Sequence, residues 1–197
     1  KKVFGNIVSR NVFLRRVFYR LLDLMFLRSW HVRKTIKQLY NSNDSINIFD
    51  AGMGFGQYSY FMAKHLRGSK ILGVDVKNEQ VEDCNYFFGK RGFKNVKFEV
   101  ADLTAITYQN EYDFILNVDV MEHIVEDELV LKNFSNALKS GGRLLINTPS
   151  DLGGSDAHDE DDESFIEEHA RNGYSKEDIT AKLERAGLKV THFKYTY

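Results

Sequence analysis

The stretch "NIFDAGMGFGQYSYF", Asn47–Phe61, decides the fold class of this chain. A short apolar run ends in Asp50, and Gly52, Gly54 and Gly56 follow at alternate positions before a helical pattern begins. Glycine permits positive φ angles in a tight turn, and its lack of a Cβ lets the backbone approach a ligand closely. A strand, a glycine turn and a helix in this order predict a nucleotide-type site at the carboxyl end of the first strand.

From residue 46 onward, short β-branched or aromatic runs alternate with helical patterns. This alternation is typical of a parallel sheet with helices on both faces. The continuous apolar run Phe114–Leu116 also favours a strand that is buried on both sides. We therefore predict an α/β fold with a doubly wound, mostly parallel, Rossmann-like sheet. The predicted strands are 46–51, 70–75, 95–101, 112–119, 142–149 and 188–197, and the predicted helices 57–66, 78–92, 127–142 and 175–187.

Composition narrows the class of protein. The 197 residues suit one domain with a sizeable core, and the net charge of -1 gives no argument for nucleic acid. We therefore expect no DNA partner. The single cysteine, Cys84, argues against an internal disulfide framework and fits a reducing, cytoplasmic location. No secretory signal is evident, and charge interrupts every apolar stretch before it is long enough to span a bilayer.

Charge is concentrated in two segments. Residues 1–40 hold ten Lys or Arg and one acid, whereas residues 156–168 hold eight acids and no Lys or Arg. We expect residues 1–44 to form a helical extension and residues 45–197 to form the sheet-containing domain. Phe13, Val17, Leu21 and Leu24 have helical spacing in the extension, and three interpretations stay open: packing against the domain, a lid over the site, or weak contact with a membrane surface.

The glycine spacing separates two kinds of nucleotide site. The dinucleotide fingerprint G-x-G-x-x-G would place its third glycine at position 57, which is Gln57. The pattern found, D-x-G-x-G-x-G, resembles motif I of the class I S-adenosylmethionine-dependent methyltransferases, most closely the small-molecule type related to the type 11/12/23 domains. The resemblance covers roughly residues 45–197. The family fold usually ends in a seventh, antiparallel strand, and this sequence provides only six, so we expect the last strand to be missing.

The resemblance implies S-adenosyl-L-methionine as the cofactor. It places Asp50 near the methionine amino end of that cofactor, and Asp102 near the adenine amino group. It places Asp75 on the ribose, where a carboxylate accepts two hydrogen bonds from the vicinal diol. The full set of predicted cofactor-binding residues is Asp50, Ala51, Gly52, Met53, Gly54, Gly56, Tyr58, Asp75, Val76, Ala101, Asp102, Leu103, Asn117 and Val118.

Two histidines are candidates for catalysis. His123, in "VMEHI" after the fourth strand, is the first candidate for a base that removes a proton from the acceptor, and His169 is the second. His123 as a wall of the cofactor site is the alternative, and Glu122 is expected to be a structural partner. His158 lies among acids, but no second histidine or cysteine stands at ligand spacing, so we predict no metal.

The resemblance to this family implies methyl transfer to a small-molecule acceptor, and we expect O- or C-methylation. A nicotinamide-dependent oxidoreductase and a non-catalytic nucleoside-binding protein of the same fold are the alternatives. An RNA substrate bound through the basic segment is disfavoured. The sequence leaves the acceptor, the methylated atom and the oligomeric state open.

Overall fold

A single parallel sheet organises the protein in the computed structural model, which describes residues 12–25, 27–152 and 170–196. The strand order is β3-β2-β1-β4-β5, with every pair parallel. The winding reverses between β1 and β4, and ligands of such sheets bind at the carboxyl ends beside this point. The predicted fold class is confirmed. The strands are β1 Asn47–Ala51, β2 Lys70–Asp75, β3 Val96–Val100, β4 Tyr112–Val118 and β5 Leu138–Asn147.

Helices cover both faces of the sheet, and each face has its own apolar core. One core joins α1, α2, α3 and α4 to the sheet, with Phe87 and Phe114 fully buried. The other joins α5 and α6 to the opposite face around Phe49 and Phe134. The helices are α1 Val12–Met25, α2 Leu27–Leu39, α3 Gln57–His65, α4 Asn78–Lys90, α5 Asp127–Ala137 and α6 Lys176–Arg185.

The strand predicted at 188–197 is wrong for the residues described there, 188–196, which form no strand. Leu188 and Phe193 still pack against the second core. A strand also needs a backbone partner, and β5 pairs only with β4 among the described residues. The helix predicted at 127–142 ends early, at Ala137, because Leu138 already pairs with Tyr112 in the sheet.

The described part of the N-terminal extension is mainly helical and packs on the sheet domain through a different face from the one its apolar spacing predicts. Arg15 and Tyr19 of α1 are buried, each 2% exposed. Phe13, Val17 and Leu21 are exposed instead. Within the described ranges, no helix combines the length and the apolar character needed to cross a bilayer.

Candidate active site

The glycine turn after β1 adopts the left-handed conformation at all three glycines, with φ of +79° at Gly52, +52° at Gly54 and +73° at Gly56. A Cβ on Gly52 would lie 2.3 Å from a Val120 methyl carbon, and one on Gly56 would lie 2.9 Å from the Cys84 sulfur. A Cβ on Gly54 would meet nothing within 4 Å. Packing therefore requires two of the glycines, whereas Gly54 borders open space that a ligand can enter.

Hydrogen bonds fix the turn to the end of β2. The N–H groups of Gly52 and Met53 both donate to the carbonyl of Val74 at 2.9 Å. The N–H of Gly54 donates to the Asp75 carboxylate at 3.0 Å. The predicted ribose-binding carboxylate is therefore adjacent to the one glycine of the turn that borders open space.

Asp50, at the end of β1, is a buried carboxylate. Its side chain accepts a hydrogen bond from the Ser59 hydroxyl at 2.5 Å, and the residue is 3% exposed. Burial is the main reason that the pKa of Asp50 rises from 3.8 to about 6, and the charge of Asp75 raises it further against the effect of Ser59. A cation held beside Asp50 would favour its ionised form.

Asn117, at the end of β4, has an unsatisfied acceptor. Its side-chain N–H donates to the carbonyl of Ala51 at 2.9 Å, which ties β4 to the start of the glycine turn. Its Oδ1 atom is buried and has no hydrogen-bond partner among the described residues. A buried acceptor of this kind is costly unless a donor reaches it, so a ligand ammonium or N–H group would satisfy it.

Side chains of helix α1 donate hydrogen bonds to the glycine turn, a role that the sequence analysis did not predict. The Arg15 guanidinium donates to the carbonyl of Phe55 at 3.0 Å, and the Tyr19 hydroxyl donates to the same carbonyl at 2.5 Å. Arg15 also donates to the carbonyl of Asp83 in α4 at 3.0 Å. No local signal in the sequence distinguishes this arginine, because its partners are backbone carbonyls far along the chain.

Asp119 is a second residue that sequence reasoning missed. It follows β4 with a positive φ of +52°, which is uncommon for a residue other than glycine. Its carboxylate lies 2.6 Å from the Arg28 guanidinium of α2. Burial raises the pKa of Asp119 to about 6, although Arg28 opposes the rise. Helix α2 is thus joined to the strand end that borders the glycine turn.

The residues predicted to surround adenine lie at the end of β3, next to β2. The N–H of Ala101 donates to the carbonyl of Asp75 at 3.2 Å. One oxygen of the exposed Asp102 carboxylate accepts from the N–H and the hydroxyl of Thr104, at 2.9 and 2.8 Å. Leu103 is buried in the core. Asp102 therefore caps its own loop with one oxygen.

The remaining predicted cofactor residues occupy three environments. Met53 and Tyr58 are buried in the first apolar core, and Ala51 is fully buried in the second. Val76 is 63% exposed just after β2, and Val118 is half-buried at the end of β4. The side chains of Met53 and Tyr58 face the core, so these residues can contact a ligand mainly through their backbone atoms.

His123 ends a short 3₁₀ turn, Met121–His123, beyond β4, and its side chain is 38% exposed. Its Nε2 atom lies 4.0 Å from a carboxylate oxygen of Glu122. Glu122 is buried, accepts from the Thr148 hydroxyl at 3.1 Å, and through its carbonyl accepts from the N–H of Ala170 at 2.9 Å. These contacts agree with a structural role for Glu122. His169 lies outside the described residues.

The chain that resumes at residue 170 is fixed to the start of α5. The carboxylate of Asp127 accepts from the Tyr174 hydroxyl at 2.8 Å, from Lys182 at 2.6 Å and from Arg171. Among the described residues, no group of three or more His, Cys, Asp or Glu side chains is placed to hold a metal ion. His158 and its acidic neighbours lie outside these ranges.

Known proteins resemble this chain in sequence and in fold. A family profile described as a methyltransferase domain matches residues 42–187. The ubiquinone biosynthesis O-methyltransferase of Pelagibacter ubique (strain HTCC1062) is 26% identical over 129 residues, which are 66% of this chain and 51% of that protein. The (S)-coclaurine N-methyltransferase of Papaver somniferum is 30% identical over 106 residues, 52% of this chain and 29% of that protein.

The fold has a solved counterpart. A SAM-dependent methyltransferase from Aquifex aeolicus superposes with a TM-score of 0.64 at 22% identity, and the match covers 81% of each chain. The chain spans about half the length, or less, of the curated relatives described above. Because the family profile covers most of the sequence and agrees with the glycine turn and the strand order, the chain belongs to the class I S-adenosylmethionine-dependent methyltransferases.

Proposed function

We propose that this protein transfers the methyl group of S-adenosylmethionine to a small-molecule acceptor, with O- or C-methylation favoured. The observation that carries the proposal is the open space at Gly54, next to the Asp75 carboxylate. The names of two relatives support a small-molecule acceptor, since one is an O-methyltransferase of ubiquinone biosynthesis and the other an N-methyltransferase of coclaurine, but they differ in the atom that is methylated. The methylated atom therefore stays the least constrained part of the proposal.

The residues at the carboxyl edge of the sheet fit the groups of this cofactor. Asp75 would accept hydrogen bonds from the ribose hydroxyls, and the unsatisfied Oδ1 atom of Asn117 would accept from the amino group. Gly54 lets the ligand approach the backbone, and the buried Asp50 carboxylate favours a ligand with positive charge. When bound, the cofactor supplies an activated methyl group, so the protein mainly has to align the acceptor with it.

We assign His123 as the candidate base for an acceptor that must lose a proton. Its imidazole is partly exposed beyond the end of β4, and an imidazole nitrogen can accept a proton from a bound acceptor. His169 stays a second, untested candidate. Phe55, Val125 and Leu152 expose apolar surface in loops around this edge, at 53%, 77% and 68%, which favours an apolar acceptor.

Two glycine substitutions separate ligand binding from backbone strain. Gly54→Ala and Gly92→Ala both place a Cβ at a positive φ, +52° and +73°, with nothing within 4 Å. Each should lose about 1–2 kcal/mol of stability through the left-handed backbone. Only Gly54→Ala should also reduce the affinity for S-adenosylmethionine in isothermal titration, because only Gly54 borders the proposed site. Equal affinities in the two variants would contradict the placement of the cofactor.

Methyl transfer is tested separately from binding. The protein is incubated with S-adenosylmethionine labelled in the methyl group and with phenol, quinol, enol and amine acceptors, and label in the acceptor is measured. We expect methyl transfer to a phenol or an acidic carbon. A lower transfer rate in a His123→Ala variant with unchanged cofactor affinity would support the proposal. Binding without transfer to any class would favour the non-catalytic alternative. The cytoplasmic location and the absence of a DNA partner stay predictions.

A further inference from the structure

The outward surface of the two N-terminal helices is unusually apolar. Val17 and Leu21 of α1 are 37% and 48% exposed, and Leu27 and Trp30 of α2 are 65% and 54% exposed. With Phe13, these make five of the twelve large exposed apolar side chains in the described part of the chain. The five fall within 18 residues, a density that marks an interaction surface rather than scattered exposure. We call Phe13, Val17, Leu21, Leu27 and Trp30 the outer apolar face.

The contacts of α1 with the glycine turn fix the α1 part of this face outward. Arg15 and Tyr19 bind the turn through the carbonyl of Phe55, as described above. Val17 and Leu21 each follow one of these anchors by two residues, about 200° around a helix at 3.6 residues per turn. The apolar side chains cannot turn inward while the two anchors hold the glycine turn.

Basic side chains accompany the outer apolar face. Arg16, Arg20, Lys34 and Lys37 are half-buried or exposed on the same two helices. The Lys34 ammonium lies 4.8 Å from the centre of the Trp30 ring. Helices α1 and α2 contain seven Lys or Arg residues and one acid, Asp23. Apolar residues combined with Lys and Arg are typical of helices that lie in the interface of an anionic membrane.

We propose that the outer apolar face binds the surface of an anionic lipid bilayer, with α1 and α2 lying in the plane of the headgroups. Charge complementarity selects this occupant. A second copy of the chain would bring Arg16, Arg20, Lys34 and Lys37 of both copies together, and the two helices of each copy contain only one acid, Asp23, to balance them. Anionic headgroups supply that balance, and the acyl region accepts the apolar side chains. The proposal does not depend on the methylated acceptor.

The only tryptophan of the chain, Trp30, reports this contact directly. The whole protein is mixed with vesicles of phosphatidylcholine, or of phosphatidylcholine with phosphatidylglycerol, and binding is measured by sedimentation at increasing salt. We expect salt-sensitive binding to the anionic vesicles, with a blue shift of Trp30 emission and quenching by brominated lipid. Absence of binding to anionic vesicles, or binding without any change in Trp30 emission, would overturn the proposal.

Matched variants locate the contact. Each basic residue near an anionic surface contributes about fivefold to partitioning, so Arg16→Gln with Arg20→Gln should lose about 25-fold. Lys132→Gln with Lys189→Gln removes the same charge from exposed positions elsewhere and should have little effect on partitioning. Leu21→Ser with Leu27→Ser should weaken binding, unlike Leu129→Ser with Tyr86→Ser, two side chains exposed by 45% and 47%.

Folding and self-association are checked on the same samples. Circular dichroism and titration with S-adenosylhomocysteine show whether each variant keeps its fold, and only folded variants are compared. Equal partitioning of the helix variants and their controls would refute the contact. Self-association in analytical ultracentrifugation that Leu21→Ser with Leu27→Ser abolishes would assign the face to a second copy instead, which also overturns the proposal.

Discussion

Replacing Asp50 with asparagine should make the ligand-free protein more stable at pH 8 and weaken its binding of S-adenosylmethionine. Burial raises the pKa of Asp50 from 3.8 to about 6. Keeping the carboxylate ionised in the folded state therefore costs about 3 kcal/mol, at about 1.4 kcal/mol for each pKa unit. Asparagine has nearly the same shape and can still accept the hydrogen bond from Ser59, so most of this cost should disappear.

The gain should depend on pH in a defined direction. A carboxylate with a higher pKa in the folded state destabilises the fold fully above pH 6, and the effect is lost as the pH falls towards 3.8 and below, where both states are protonated. Urea unfolding followed by circular dichroism should give Asp50→Asn an advantage of about 3 kcal/mol at pH 8 and almost none below pH 4. Asp151→Asn, at an exposed position, serves as the control.

Binding should move in the opposite direction from stability. An ionised Asp50 attracts a cationic ligand, so Asp50→Asn should weaken S-adenosylmethionine binding at pH 8 by about tenfold or more, measured by isothermal titration. A variant that is no more stable than the wild type at pH 8, or whose gain persists unchanged at pH 4, would refute the assignment of a costly buried charge. An unchanged affinity for S-adenosylmethionine would show that Asp50 does not interact with the ligand.

Three further substitutions test the turn and its supports. Asp75→Asn should weaken S-adenosylmethionine binding by about 1–3 kcal/mol in isothermal titration, and unchanged affinity would mean that the ribose is held elsewhere. Gly52→Ala should destabilise the fold by about 2–5 kcal/mol in urea unfolding, since its Cβ meets the Val120 methyl carbon at 2.3 Å; failure of Val120→Ala to restore part of this loss would contradict the clash. Tyr19→Phe removes one of two donors to the Phe55 carbonyl and should weaken cofactor binding by about 0.5–1.5 kcal/mol in isothermal titration; unchanged affinity would show that the hydroxyl does not support the turn.

The sequence predicted those elements of the fold that depend on interactions between residues close together in the chain. The strand, glycine turn and helix between Asn47 and Phe61 follow from apolar periodicity and from the backbone freedom of glycine, and the structure contains all three. The start of α6 at Ser175 could also be predicted from local sequence, because the Ser175 hydroxyl accepts a hydrogen bond from the N–H of Asp178 three residues later. The strand predicted at 188–197 failed in the described residues because a strand depends on a partner distant in the sequence.

The site was predicted less completely because its supports are long-range. The spacing of Phe13, Val17 and Leu21 indicated which residues of α1 share a face, but not which face the domain would bury. Burial of Arg15 depends on backbone carbonyls about 40 and 68 residues away, and periodicity carries no information about them. The left-handed conformation of Asp119 could not be predicted for the same reason. The contacts of Asp119 come from Arg28 in α2 and from the carbonyl of Asn147 in β5, which are distant in the sequence.

The attachment of α1 to the glycine turn bears on where a recombinant fragment can begin. A fragment spanning 42–187, the limits of the family match, would lack Arg15 and Tyr19 and leave the carbonyl of Phe55 without either donor. Such a fragment would keep every residue of motif I and yet should bind S-adenosylhomocysteine more weakly than the whole chain. The limits of the family match therefore exclude the two side chains of α1 that support the glycine turn.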